Sequence, residues 1–285
     1  MKDNIFSLSA VFGLLLLLSA YAQAATLTVN TLNDADDGVC DGAHCSLREA
    51  IRYAATNDSI VFLSSLNGTI TLTGNTLIPK DVTITGNGAR VLTVSGGGTK
   101  RVFDVQSGSV TISNLTILGG NAGAGFGGDI VVNGGVLSLQ NSVITNGAAV
   151  RGGGIYVNSG ASLTLGDTTV SGNAANAEGG GIFNAGTINA INTTVSGNSS
   201  NGSGGGISNT KTLNLSASTI SNNRAGVSGG GINNSGIVGS IVQSQKNIIA
   251  GNTAGTSGAD VFGSFVTLQY ISSVAAAAVP VLSTA

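Results

Sequence analysis

Apolar positions recur along this chain with a period of about 25 residues. Four segments are nearly alike: Gly152-Gly153-Gly154-Ile155, Gly179-Gly180-Gly181-Ile182, Gly204-Gly205-Gly206-Ile207 and Gly229-Gly230-Gly231-Ile232, with a weaker Gly127-Gly128-Asp129-Ile130 before them. Their isoleucines follow one another at intervals of 25, 27, 25 and 25 residues. Two further apolar columns keep the period: Val110, Leu137, Leu163, Ile188, Leu213, and Ile117, Ile144, Val170, Val195, Ile220, Ile249. Each repeat therefore predicts three short strands. Within them apolar and polar residues alternate with period two, as in Ser109-Val110-Thr111-Ile112-Ser113, which is the signature of a half-buried strand. Apolar spacing of helical period occurs only over 47–54.

Three short strands cannot bury an apolar face alone, but coils stacked at the strand spacing of about 4.8 Å turn equivalent residues into columns and fill an interior with Val, Ile and Leu. The Leu-x-x-Leu-x-Leu pattern of leucine-rich horseshoes is absent. The pattern predicts an all-β fold, a right-handed parallel β-helix (a pectate-lyase-like solenoid) of about eight coils over 60–268. Asparagines fall into two expected ladders, Asn133, Asn158, Asn184, Asn209, Asn234 and Asn173, Asn198, Asn223, Asn252. Stacked Asn side chains hydrogen-bond between coils, and Asn tolerates the left-handed backbone of a tight corner. The Gly triplets mark corners needing positive φ or close backbone approach.

An N-terminal cap is expected over 26–59, made of a strand near Thr26, an acidic loop and a helix from Ser46. Ser46 with Glu49 three residues on forms a capping box. Leu47, Ala50, Ile51 and Ala54 share an apolar face, with Arg48, Glu49 and Arg52 pointing away or pairing locally. Such a helix would cover the open edge of the first coil. Asp34, Asp36, Asp37 and Asp41 in the loop are candidate oxygen ligands for calcium, although the full EF-hand pattern is missing. The alternative is a solvated acidic turn near the positive helix end. No other cofactor is implied.

Composition, charge and local segments refine this picture. The chain combines 45 Gly and 8% charged residues with 41% hydrophobic residues, so the apolar positions needed for a core are present and disorder is excluded. A formal net charge of −2 leaves no basic footprint for nucleic acid. Residues 1–24 have the layout of an export signal: Lys2, an apolar run over 11–20, and Ala22-Gln23-Ala24 before the expected cut. That run is too short for a membrane span, and no transmembrane span is expected in the mature chain. The two cysteines, Cys40 and Cys45, are then expected to form a disulfide in an oxidising compartment. With His44 alone beside them they make an incomplete metal site. The tail over 269–285 turns Ala- and Val-rich and is similar to the opening of a C-terminal sorting signal.

Catalysis on such a fold needs carboxylates converging on one face. Aligned by the period, Asp104 falls over Val131, Asp129 over Gly154, and Asp167 continues the polar column Asn114, Asn141, Asn192. The nearest charged pair is Arg151 with Glu178, both four residues before a corner isoleucine, with Phe126 in the same column one coil earlier. Phe126, Arg151 and Glu178 are expected to hold coils in register, with Arg151 free to stack on an aromatic face.

The Gly-Gly-Gly-Ile corner followed two or three residues later by Asn resembles the short repeats of polymorphic outer-membrane proteins, a family of bacterial surface adhesins, over roughly 100–255. Cys45-Ser46-Leu47-Arg48-Glu49-Ala50-Ile51 resembles the motif that names the CSLREA-domain proteins, exported bacterial proteins with β-helix repeats. The resemblance implies an extracellular or outer-membrane-surface protein, structural, adhesive or carbohydrate-binding. Its expected partners are surface polysaccharide or the surface of a host or neighbouring cell. The rival expectation is a polysaccharide lyase or glycoside hydrolase on the same fold.

Overall fold

The computed structural model of the chain describes residues 23–235, 241–263 and 267–271. The export signal expected at 1–24 and the tail expected at 269–285 lie outside the described residues, apart from 23–24 and 269–271.

Eight parallel strands stack into one face of a β-helix: Thr76–Ile78, Phe103–Val105, Ile130–Val132, Ile155–Val157, Ile182–Asn184, Ile207–Asn209, Ile232–Asn234 and Val261–Gly263. The chain is thus a parallel β-helix of about eight coils. The corner isoleucines Ile130, Ile155, Ile182, Ile207 and Ile232 pair in register, and Phe103 and Val261 extend the column at its two ends. The column from Val110 to Leu213 and the column from Ile117 to Ile249 are also in register, on strands belonging to one 17-stranded sheet. All three columns are buried in one core, apart from the half-buried Val261 packed against it. Each Ile or Leu so buried is worth roughly 1.5–3 kcal/mol, so the regular pattern is itself the main source of cohesion between coils.

A further five-stranded sheet joins Ala148–Arg151, Ala174–Glu178, Ser199–Ser200, Arg224–Ala225 and Thr253–Ala254. A bulge in it, between Ala149 and Arg151, absorbs one residue of the long 27-residue interval between Ile155 and Ile182. Between the Val110 and Ile117 columns the chain turns through a left-handed residue in each coil: Asn114, Asn141, Asp167, Asn192, Ala217 and Lys246, all with φ between 47° and 58°. Alanine has no side-chain oxygen to support that conformation. Ala217→Gly is expected to raise the denaturant midpoint, by up to about 1 kcal/mol of stability; an unchanged midpoint would show that Ala217 is unstrained.

One of the two asparagine columns is built as expected and the other is not. Asn173, Asn198, Asn223 and Asn252 form one buried ladder, each Nδ2 donating to the next Oδ1 at 2.9 Å. It ends on Asp260, whose Oδ1 accepts from both Nδ2 (2.9 Å) and backbone N–H (3.1 Å) of Asn252. An acceptor-only carboxylate suits the end of a chain of donors. The other column needs a correction. Asn184 donates to Asn209 (2.7 Å) and Asn209 to Asn234 (2.8 Å), but Val157 and not Asn158 is the partner of Asn184, and Val132 that of Val157. Asn133 and Asn158 stand three residues after their isoleucine instead of two, and one step along a strand turns a side chain to the opposite face. Asn133 Nδ2 instead donates to Asp104 Oδ1 (2.8 Å), and Asn158 Oδ1 accepts the Ser159 N–H (2.9 Å).

At the N-terminal end, Thr26–Val29 pairs in parallel with Asp58–Phe62. The strand expected to belong to a separate cap is therefore the first rung of the solenoid, and the segment between is an insertion laid over its end. Helix α1 (Leu47–Tyr53) carries the expected capping box: the Ser46 side chain accepts the Glu49 N–H, and Glu49 accepts the Ser46 N–H. Leu47, Ala50, Ile51 and Ala54 join the core alongside Val29, Ile60 and Phe62. Cys40 and Cys45 form a disulfide that closes the loop before the helix.

Candidate functional site

On the eight-stranded face the middle residue of each strand lies between two interior positions. These middle residues form a second column: Leu77, Asp104, Val131, Tyr156, Phe183, Ser208, Asn233, Phe262. Aromatic residues follow the corner isoleucine in two consecutive repeats, Ile155-Tyr156 and Ile182-Phe183, and that was the signal available in the sequence. The rings stack. Phe126 lies on Tyr156 with centroids 4.8 Å apart and planes at 15°, and Tyr156 on Phe183 at 5.2 Å and 3°.

Phe126, Arg151 and Glu178 are register partners on consecutive coils. Arg151 Nε lies 3.2 Å from Glu178 Oε2, and its guanidinium sits 5.2 Å over the ring of Phe183, not of Phe126. The ion pair is half-exposed, so water screens it. Glu178→Ala is expected to cost less than about 1 kcal/mol in equilibrium denaturation; a larger loss would show that the pair carries the register of these coils.

Because the rings face one another, the stack shows mainly ring edges along its length. Phe126 ends it and is 40% exposed. Beside it, Arg101 donates to Phe126 O (2.8 Å), to Gly127 O (3.0 Å) and to Asp104 Oδ2 (3.1 Å). Asp104 Oδ1 in turn accepts from Gln106 Nε2 (2.5 Å) and Asn133 Nδ2 (2.8 Å), and Gln106 and Asn133 are exposed. Arg101 thus links the Phe126 backbone to a carboxylate that two exposed amides also hold, so an apolar ring and polar donors and acceptors lie on neighbouring coils.

The carboxylates of the coils are each engaged by partners of their own: Asp58 accepts the Ala25 and Ala55 N–H groups and Asp81 the Ser109 N–H (2.6 Å). Asp104 pairs with Arg101, Glu178 with Arg151, and Asp167 accepts from Asn192. Asp260 ends the Asn ladder, and Asp129 Oδ1 accepts the Gly120 N–H at 2.6 Å inside the corner. Burial raises the Asp129 carboxyl well above its ordinary range, against a smaller lowering by Gly120. A raised carboxyl keeps its proton in the folded chain after the unfolded chain has lost it. Stability therefore falls as pH rises from the unfolded value, roughly 3.9, through the raised folded one. Asp129→Asn retains the acceptor for Gly120 and removes this slope. Denaturant midpoints followed from acid to neutral pH should fall less for the variant than for wild type; parallel curves would contradict the buried neutral carboxyl.

In the cap the four aspartates proposed for calcium are drawn apart. Asp34 accepts from Arg48 Nε (3.1 Å), from Arg48 Nη2, and from the Thr73 N–H (2.7 Å) and hydroxyl (2.8 Å). Asp36 pairs with Arg52 Nη1 at 2.8 Å. Asp41 accepts the N–H groups of Ala43 and His44, and the His44 bond, then that of Ala43, lowers its carboxyl. Only Asp37 takes part in a group of ligand atoms, and there its companions are His44 and Glu49. The calcium set is corrected accordingly: the helix arginines and backbone donors, absent from a count of acidic residues, take the other three. Glu49 itself is fully buried. Burial would raise its carboxyl, but hydrogen bonds from Ser46 and Asp37 outweigh burial and hold it at about 2.

Among the described residues no helix is long and apolar enough to cross a membrane. Comparison of the chain with protein-family models, with curated proteins and with solved structures finds no match.

Proposed function

We propose that this chain is an exported surface protein whose β-helix serves as an adhesive or carbohydrate-binding scaffold, holding an extended polysaccharide or the glycan coat of a host or neighbouring cell without cleaving it. The observation that carries this reading is the aromatic stack ending at the exposed Phe126, tied by Arg101 to Asp104, which Gln106 and Asn133 also hold. A stack of coils suits an extended ligand because equivalent positions repeat along one axis. The export layout of residues 1–24 and the Cys40–Cys45 disulfide are consistent with an oxidising, extracytoplasmic setting. The resemblance of the Gly-Gly-Gly-Ile corners to adhesin repeats, and of Cys45-Ser46-Leu47-Arg48-Glu49-Ala50 to the CSLREA motif, points the same way.

The hydrolase or lyase reading requires two carboxylates, or a carboxylate and a base, free to meet a substrate. On these coils Asp104, Asp167 and Glu178 are committed to side-chain partners, Asp58, Asp129 and Asp260 are buried, and Asp81 accepts the Ser109 N–H. A panel of neutral and acidic polysaccharides, immobilised and exposed to the protein, separates the readings. Retention with no release of reducing or unsaturated ends is expected. Release of such ends would make the chain an enzyme, and failure to retain on every polysaccharide would remove the carbohydrate ligand from the proposal.

A further inference from the structure

The cap contains a cluster that the scaffold reading does not use. His44 Nδ1 lies 3.0 Å from Glu49 Oε2 and 3.3 Å from Asp37 Oδ2, and the three ligand atoms all fall within 4.8 Å of one another. Asp37 comes from the loop ahead of the disulfide, His44 from the segment that the disulfide closes, and Glu49 from the first turn of α1. Each is held in place by a partner of its own. Glu49 Oε1 accepts the Asp37 N–H at 2.7 Å and Oε2 the Ser46 N–H at 2.8 Å. Asp37 Oδ1 accepts the Val39 N–H at 3.1 Å, which leaves Oδ2 for the cluster.

The far side of the imidazole decides what Nδ1 can be. His44 Nε2 lies 3.0 Å from Asn33 Oδ1. That atom also accepts the Ala35 N–H at 3.1 Å, which identifies it as the amide oxygen and not the nitrogen. Nε2 must therefore be the donor. In the neutral ring the one proton is then on Nε2, and the Nδ1 lone pair is aimed at two carboxylate oxygens. Nδ1 is buried and has no hydrogen-bond partner. Three electron-rich atoms this close repel one another, and a cation among them turns the same arrangement into attraction.

We propose that Asp37, His44 and Glu49 bind a transition-metal ion, zinc foremost, with Asn33 fixing the ring tautomer and the exposed Asp37 side leaving a coordination position open. One imidazole nitrogen and two carboxylate oxygens suit zinc, whose bonds of about 2.0–2.2 Å set tetrahedral ligand atoms roughly 3.3–3.5 Å apart; the contacts to Nδ1 are 3.0 and 3.3 Å. Calcium is a poor fit, since it takes six to eight oxygens at about 2.3–2.6 Å and does not favour imidazole. The sulfur atoms of Cys40 and Cys45 are in a disulfide and cannot serve as thiolate ligands. A second-sphere acceptor on the other ring nitrogen, as Asn33 provides, is the usual companion of a metal-bound histidine. Such an ion would join the acidic loop to α1 and so fasten the lid on the first coil.

The test is zinc binding to the full chain with its disulfide intact, by isothermal titration at neutral pH and by metal content after gel filtration. One zinc per chain is expected, not displaced by excess calcium. His44→Gln and Asp37→Asn should abolish it, and Asn33→Ala should weaken it by about 10–100-fold. Zinc should also raise the thermal midpoint of wild type and leave that of His44→Gln unchanged. Because Asp37→Asn alters an exposed group and keeps the acceptor for Val39, it decides the matter should His44→Gln not fold. Wild type holding zinc no more tightly than Asp37→Asn, or equal competition by calcium, would overturn the proposal.

Discussion

Gly180→Ala is expected to cost about 3 kcal/mol or more of folding stability, because the added methyl has no space to occupy. A Cβ at Gly180 would stand 2.3 Å from Ser199 O and 2.4 Å from Gly205 O. Both atoms are backbone and both belong to the next coil, so relief requires the coils to separate. The same stretch of corner is where the Gly180 N–H reaches Gly204 O at 2.9 Å, and a shift that admitted the methyl would lengthen that bond too. Gly153 stands in the same position one coil earlier, 2.3 Å from Ala174 O and 2.4 Å from Gly180 O. Gly42 is the control: its Cβ would meet nothing within 4 Å, and Gly42→Ala should stay within about 0.5 kcal/mol of wild type. Equilibrium denaturation of both variants checks this. Equal midpoints for the two would mean that the Gly triplets are not there for close approach.

Asn198→Ala is expected to be at least as damaging, at about 4 kcal/mol, through a different cause. Asn198 is buried in the middle of the ladder. Its Nδ2 donates to Val170 O (3.0 Å) and Asn223 Oδ1 (2.9 Å), while its Oδ1 accepts the Asn173 N–H (3.0 Å) and Nδ2 (2.9 Å). Alanine takes a partner from all four groups at a place water does not reach. Asn173 Nδ2 keeps Ile144 O and Asn223 Oδ1 keeps the Asn198 N–H. The cost therefore falls on Val170 O and the Asn173 N–H, at about 1–3 kcal/mol each. Asn133→Ala removes only an exposed donor to Asp104 and should cost less than about 1 kcal/mol. Urea midpoints separate the cases. If the two substitutions cost the same, the buried ladder adds nothing to the cohesion of the coils.

These two residues also show what the sequence could reveal. The apolar columns were legible because an interior position in a stacked coil accepts few side chains other than Val, Ile and Leu, so the period survives in the letters. The Asn173 ladder was legible for the same reason. Asn133 and Asn158 were misplaced by a single residue: counting from the glycine triplet does not reveal which face of the strand a side chain takes, whereas counting from Ile155 to Val157 does. The five-stranded sheet left no trace, since it pairs as few as two residues per coil, mostly Ala and Ser, without apolar alternation.

The candidate sites divide in the same way. Phe126, Arg151 and Glu178 were placed on one column by the period alone, but the partner of Arg151 was not, because Phe183 comes from the strand after the corner and reaches back over it. In the cap, acidity drew attention to Asp34, Asp36, Asp37 and Asp41. The cluster that forms takes one of them with His44 and Glu49, brought together by the disulfide loop and the first turn of α1. No spacing rule in the sequence encodes that meeting.

The scaffold reading is tested most directly by titrating a retained polysaccharide against wild type and Phe126→Ala while assaying the same samples for new sugar ends. Phe126 ends the stack at the surface, so its loss should leave the fold intact and weaken binding roughly tenfold, the worth of one aromatic contact of about 1.4 kcal/mol, with no new ends in either sample. Binding unchanged by Phe126→Ala, or new ends appearing with wild type, would contradict the account.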